Sequence, residues 1–312
     1  MAEPNIPSTP APISKGNIFA RRLLSSLVLW GVVIGALFFA GKTVSDYTFL
    51  LVMLLLAGLG LKEFYGLAAK RDLVCFKGWG ITGGLLLMTA TFFHFYGAFG
   101  ITDSPSRVND FEVGFLILFV LGLCLRQFFS RSNTAGILAI STTLFGLMYV
   151  PWLLNFIQKI NFFHFDNPLA QDAGKFYVLY FIVVTKFSDT GAYAVGSLIG
   201  KHKMIPRISP GKTWEGFGGA ILVATLASFL FYKLSGDKLA GMTALHAVIL
   251  GIVLSISAVV GDLIESIFKR EAGVKDSGKS FPGIGGILDL LDSLLFNAPI
   301  MYLYLRHVLT HP

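Results

Sequence analysis

Gly261–Ser293 reads GDLIESIFKREAGVKDSGKSFPGIGGILDLLDS, beginning inside one apolar segment and ending inside another. It carries six acids (Asp262, Glu265, Glu271, Asp276, Asp289, Asp292) and four bases (Lys269, Arg270, Lys275, Lys279). Charge at this density beside membrane-length apolar segments is costly and points to function.

The 312 residues around it are 54% hydrophobic and 14% charged, with mean hydropathy +0.70. A soluble domain of this size would be about 25% charged, so the chain reads as an all-α polytopic membrane protein. At about 20 apolar residues per span, helices are expected near 23–41, 47–69, 78–100, 111–129, 134–158, 174–197, 216–234, 241–266 and 287–308, nine in all. The first run is too long for a signal-peptide core and reads as a retained span. Pro151 should kink or end the fifth. The 34 glycines suit close helix packing, with small-xxx-small spacing at Gly31/Gly35 and Gly196/Gly200.

Residues 1–20 hold Pro4, Pro7, Pro10 and Pro12 among small polar residues and read as a flexible cytosolic tail. Residues 21–173 have few internal charges and read as a transmembrane scaffold. Residues 174–312 hold nearly all the intramembrane charge and read as the catalytic region, with two cytosolic loops. The tail and alternate loops carry 17 Lys and Arg against 7 on the other side, Lys159 among the 7, with Lys186 inside a span. That bias puts the N-terminus in the cytosol and, with nine spans, the C-terminus outside. The net charge of +7 is this loop bias, so no nucleic-acid partner is expected. Cys75 and Cys124 form no CxxC pair, and the six histidines show no ligand cluster.

Asp262, Glu265, Ser266 and Lys269 fall at i, i+3, i+4 and i+7, one face of a helix. Asp289, Asp292 and Ser293 repeat i, i+3, i+4 on the last span, and Lys186, Asp189 and Tyr193 share a face of the sixth. Carboxylates converging from separate helices repel one another unless a cation lies between them. Mg2+ prefers a few carboxylates plus phosphate oxygens and waters. Ser209-Pro210-Gly211-Lys212-Thr213 places a hydroxyl, a tight turn and a lysine just before a helix, whose N-terminal amides favour an anion; it reads as a phosphate-binding loop without being a Walker A motif. Gly273, Gly278, Gly283, Gly285 and Gly286 around Pro282 allow close approach of backbone to a ligand. Lys62-Glu63-Phe64-Tyr65 reads as an ion pair and interfacial aromatics, with a supporting role near the site as the other reading.

Two blocks resemble the phosphatidate cytidylyltransferase family. The first is Ser188-Asp189-Thr190-Gly191-Ala192-Tyr193, Gly196, Gly200-Lys201 and Ser209 to Gly216; the second is Gly261-Asp262, Glu265-Ser266, Lys269-Arg270, Lys275-Asp276, Gly278, Pro282-Gly283, Gly285-Gly286, Asp289 and Asp292-Ser293. Where the family signature reads PGHGG and DRxD, this chain has Ile284 and Leu290. The resemblance implies transfer of CMP from CTP to phosphatidate, giving CDP-diacylglycerol and pyrophosphate. It implies Mg2+ on Asp262, Asp289 and Asp292, with a second, monovalent cation as an option. Catalytic roles fall to Asp262, Asp289, Lys269 and Ser266, and substrate contacts to Asp189, Ser209, Lys212, Arg270, Lys275 and Asp276. A homodimer in a bacterial inner membrane, with its site facing the cytosol, is the expected setting. Two other readings are a CTP-dependent enzyme acting on another membrane lipid and an ion-coupled transporter. A transporter predicts internal repeats and acids near the midplane; no repeat is evident and the acids gather at one boundary.

Overall fold

A computed structural model describes residues 30–35, 37–38, 41–97, 105–130, 135–163, 165, 172–278, 280 and 285–310. The expected tail, most of the first expected span, and Lys279, Pro282, Gly283 and Ile284 lie outside the described residues. The chain is mostly helical, in chain order α1 (Lys42–Ala69), α2 (Lys77–Phe95), α3 (Pro105–Phe128), α4 (Gly136–Leu147), α5 (Leu153–Asn161), α6 (Ala173–Ile199), α7 (Trp214–Ser235), α8 (Ala244–Glu271) and α9 (Ile287–Tyr304). Among the described residues, seven stretches are long and apolar enough to cross a membrane: α1, the 109–128 part of α3, Gly136–Asn161, α6, Trp214–Lys238, α8 and Ile287–Leu309. The expected 78–100 span falls on the helix α2, Lys77–Phe95, which is not among these seven.

Pro151 neither ends nor sharply breaks its helix. It sits in a π-helical turn, Met148–Trp152, that joins α4 to α5. Proline has no N–H and its ring crowds the preceding turn, and a wider turn relieves both.

Helices α6 and α7 approach through glycine. A Cβ on Gly191 would lie 2.6 Å from the Gly219 carbonyl oxygen, and one on Gly216 would lie 2.9 Å from the Ala192 oxygen. Lipid offers little drive for helix association, so contact of bare backbone supplies it. Gly196 belongs to this seam, 3.4 Å from the Gly216 Cα by the same measure, whereas Gly31 and Gly35 have nothing described within 4 Å of such an atom.

An antiparallel hairpin interrupts the helical pattern, with β1 (Lys203–Ile205) pairing β2 (Ser209–Thr213) in the register Lys203↔Thr213 and Ile205↔Ser209. Sequence spacing alone marks this segment as a phosphate-binding loop before a helix. Glu215, in the first turn of α7, anchors the hairpin by accepting from the backbone N–H groups of Lys201 and His202, both at 3.2 Å. Thr213 caps α7, its hydroxyl accepting from the Gly216 N–H at 3.1 Å.

The central core joins side chains of α1, α5, α6, α8 and α9. The last stretch, Ile287–Leu309, is the most enclosed of the seven and α3 the least. Helix α9, which opens with Asp289 and Asp292, packs most on α8, then on α5, and also meets α6 and α1.

Lys159 is not in an external loop as the charge count places it. Helix α5 runs to Asn161, and the Lys159 ammonium is buried against Glu112 of α3 at 2.6 Å.

Candidate active site

Helix α8 carries its polar face at its C-terminal end. Asp262, Glu265, Ser266 and Lys269 all point the same way, as their spacing requires. The helix stops after Glu271 because Gly273 takes a positive φ of 67°, and the Val274 N–H returns to the Lys269 carbonyl at 2.9 Å. This is a glycine C-cap. Helix α9 begins after Gly285, at φ 122°, a backbone conformation open to glycine. The two acidic faces are thereby turned toward each other.

One oxygen each of Asp262, Glu265 and Asp292 lie within 4.8 Å of one another. Glu265 is almost fully enclosed, and its Oε1 has no hydrogen-bond partner among the described residues. Asp292 accepts only from the neighbouring Ser293 N–H, and no described Lys or Arg forms an ion pair with it.

The cations near this group are lysines. Lys212 of the hairpin reaches Asp262 at 2.9 Å, and donates to the Val259 carbonyl at 3.2 Å. Lys269 pairs with Glu265 and with Asp289, the latter at 2.7 Å. Lys186 is 3.7 Å from Asp189. Five carboxylates, Asp189, Asp262, Glu265, Asp289 and Asp292, thus meet three ammonium groups. Carboxylates outnumber ammonium groups here, and an all-oxygen donor set suits a hard cation such as Mg2+. The residues present fit the ion.

Asp289 holds a different position from the one its spacing suggests. Its Oδ1 accepts from Lys269, and its Oδ2 accepts from the Ser277 N–H at 3.0 Å and the Gly286 N–H at 2.7 Å, with the Ser277 hydroxyl, whose one proton is shared with Glu63, also 3.0 Å away. With both oxygens engaged, Asp289 ties the linker to the start of α9, and the structure brings Glu265 into the convergent group in its place. The i, i+3 spacing from Asp262 to Glu265 was the available signal.

Asp189, Asp262, Asp289 and Asp292 border a cavity of about 560 Å3, whose wall also includes Tyr193, Ser209 and Lys212, with Glu265 outside the wall. Ser266 stands behind it and donates to Asp262 Oδ1 at 3.3 Å. Arg270 is spent on backbone, donating to the Ile208 carbonyl at 3.0 Å and the Val274 carbonyl at 3.4 Å, so it binds the hairpin to the end of α8. Lys275 and Asp276 are exposed on the linker and are not part of the cavity wall.

Glu63, near the end of α1, supports the linker from the other half of the chain. It accepts from the Ser277 hydroxyl at 2.9 Å, the Ser280 hydroxyl at 2.6 Å and the Leu288 N–H at 3.0 Å. No spacing rule links residues more than two hundred positions apart.

The model of the cytidylyltransferase family matches residues 21–308. The chain belongs to this family. It is 31% identical to the phosphatidate cytidylyltransferase of Chlamydia pneumoniae over 295 residues, 93% of this chain and 92% of that protein. It is also 31% identical to the phosphatidate cytidylyltransferase of Haemophilus influenzae over 293 residues, 91% of this chain and 98% of that one. A half-length match, 36% identical over 165 residues, covers 53% of this chain and 51% of the uncharacterized protein YnbB of Escherichia coli. As a cytidylyltransferase the chain is an enzyme embedded in its membrane by apolar helices.

Proposed function

We propose that this protein transfers CMP from CTP to phosphatidate, forming CDP-diacylglycerol and pyrophosphate for phospholipid synthesis. The observation that carries the reading is the convergence of Asp262, Glu265 and Asp292, with Asp262 and Asp292 in the wall of a cavity that Ser209 and Lys212 also line and Glu265 buried behind them. A phosphatidate oxygen attacks the α-phosphorus of CTP, and the bond to the pyrophosphate oxygen breaks. Both reactants and the leaving group are anions, so positioning and charge neutralisation carry the step.

Mg2+ held by Asp262, Glu265 and Asp292 would act as Lewis acid and template for the phosphates. Lys212 and Ser209 bind the triphosphate, while Lys269 holds Glu265 and Asp289 in register. Lys275 and Asp276 are proposed contacts of the nucleotide from the exposed linker. Asp189 borders the lipid side of the site and holds the Lys186 ammonium there at 3.7 Å. Pyrophosphate leaves as an already neutralised anion, which suits a chain with Ile284 where the family signature has histidine.

The wider setting is part of the same proposal. Nine spans read from hydropathy, in a bacterial inner membrane, are oriented by the Lys and Arg bias with the N-terminus and the site in the cytosol and the C-terminus outside. Residues 174–312 form the catalytic region on a 21–173 scaffold, and the protein works as a homodimer, which light scattering would test. The reaction itself is tested with labelled CTP and phosphatidate on the purified protein in detergent. Lipid-dependent labelled CDP-diacylglycerol is expected; absence of product with Mg2+ present would overturn the reading.

A further inference from the structure

A second cavity, about 380 Å3, lies between α1, α5, α6 and α9 and shares one wall residue, Asp189, with the polar cavity. Its size is in the range of small-molecule sites, about 300–1,000 Å3. The wall is almost wholly apolar, with Val52 and Met53 of α1, Val178 and Ile182 of α6, and Leu290 and Leu294 of α9. Its charged members are Lys186 and Asp189.

Val178, Ile182, Lys186 and Asp189 lie at i, i+4, i+8 and i+11, one face of α6 that turns from apolar to charged as it nears the acidic site. The eight residues from Val178 to Lys186 span roughly 12 Å of helix, most of the roughly 15 Å of hydrocarbon in one leaflet. Leu290 stands where the family signature has arginine, and its side chain extends the apolar wall. The Lys186 ammonium donates to the Leu290 carbonyl at 3.2 Å and stands 3.7 Å from Asp189. An ammonium has three donors, which leaves Lys186 able to meet an anion at the junction of the two cavities.

An apolar chamber that carries a lysine and meets the acid-lined cavity at Asp189 matches an anionic lipid, tail inward and headgroup beside Lys186. We propose that this cavity takes one acyl chain of phosphatidate and that Lys186 contacts its phosphate. The inference rests on the CTP and phosphatidate reading of the polar cavity. It makes the walls of α1 and α6 the determinants of acyl-chain length.

The test compares dioctanoyl and dipalmitoyl phosphatidate in detergent for wild type, Val52→Phe, Ile182→Phe and Lys186→Gln. The phenylalanine variants are expected to keep the wild-type KM for CTP and the rate on dioctanoyl lipid. They should lose about tenfold or more of kcat/KM on dipalmitoyl lipid, as exclusion of even two or three methylenes would bring. Lys186→Gln should raise KM for both lipids about tenfold and leave KM for CTP alone, with partial rescue by Lys186→Arg. Folded phenylalanine variants with the wild-type chain-length ratio would overturn the proposal, and if one of them does not fold, the other decides. Native mass spectrometry of bound dipalmitoyl phosphatidate separates the two readings without turnover. Retention by an inactive wild type and loss in Ile182→Phe would sustain the cavity while the reaction falls; equal retention by both would overturn the cavity.

Discussion

Two buried charged clusters stand in this bundle, and they are built on opposite principles. In the first half, Glu112 and Lys159 pair at 2.6 Å with both side chains almost wholly enclosed. Each oxygen of Glu112 has a donor, since Asn155 reaches Oε1 at 2.7 Å; Asn155 also donates to Thr91 at 3.1 Å, and Lys159 lies over the rings of Phe156 and Tyr302 at 4.5 and 5.4 Å. Charges balance, and the described cavities leave this pair outside their walls. In the second half, Asp262, Glu265 and Asp292 converge with too few cations, on the edge of a cavity. A balanced, fully paired cluster holds helices together. An unbalanced one beside open space is prepared for something that the chain does not itself supply.

The contrast predicts opposite mutant phenotypes. Asp262→Asn removes charge from the unbalanced cluster, so CDP-diacylglycerol formation should fall by about a thousandfold or more, with a thermal midpoint close to wild type because loss of the Lys212 pair and relief of like-charge repulsion oppose each other. A thermal shift scan beside the labelled assay checks both halves. Glu112→Ala should do the reverse. It strands a buried ammonium and costs about 3–5 kcal/mol of stability, read as a large drop in midpoint. The double change Glu112→Met with Lys159→Met should recover most of that loss, and protein that remains folded should keep its kcat.

Lys269→Met probes the boundary between the two designs, because this lysine serves Glu265 and Asp289 at once. Loss of about a hundredfold in kcat is expected, roughly 2.7 kcal/mol in the barrier, with a smaller fall in midpoint than Glu112→Ala gives. Glu63→Gln should act least. It keeps the shape of the linker support but weakens charge-assisted bonds from two serine hydroxyls and a backbone N–H, each worth about 1.5–3 kcal/mol at most. A rise in KM for CTP of about tenfold, with kcat within a few-fold of wild type, is the expected kinetic split.

Much of the catalytic half is legible in the sequence because its signals are local. Helical spacing puts Asp262, Glu265, Ser266 and Lys269 on one face, and the glycines at 273 and 285 mark where one helix stops and the next starts. What spacing leaves open is which oxygens are already engaged. Asp289 looks equivalent to Asp292 along the helix, yet it faces back onto the linker and binds Ser277 and Gly286, while Glu265 faces inward. The first half is less legible for a related reason. Glu112 and Lys159 each sit near a span end, where a hydropathy reading assigns charge to loops, and their pairing joins helices 47 residues apart. Glu63 and the linker are separated further still, and the contact exists only once α1 packs beside α9.

The most direct test of the convergent carboxylates is CDP-diacylglycerol formation by wild type and Asp292→Asn across a Mg2+ titration. Wild type should require Mg2+ and saturate with it, and Asp292→Asn should give at least about a hundredfold less product at every concentration, with any residual rate shifted to higher Mg2+. Matching titration curves for the two proteins would contradict the assignment.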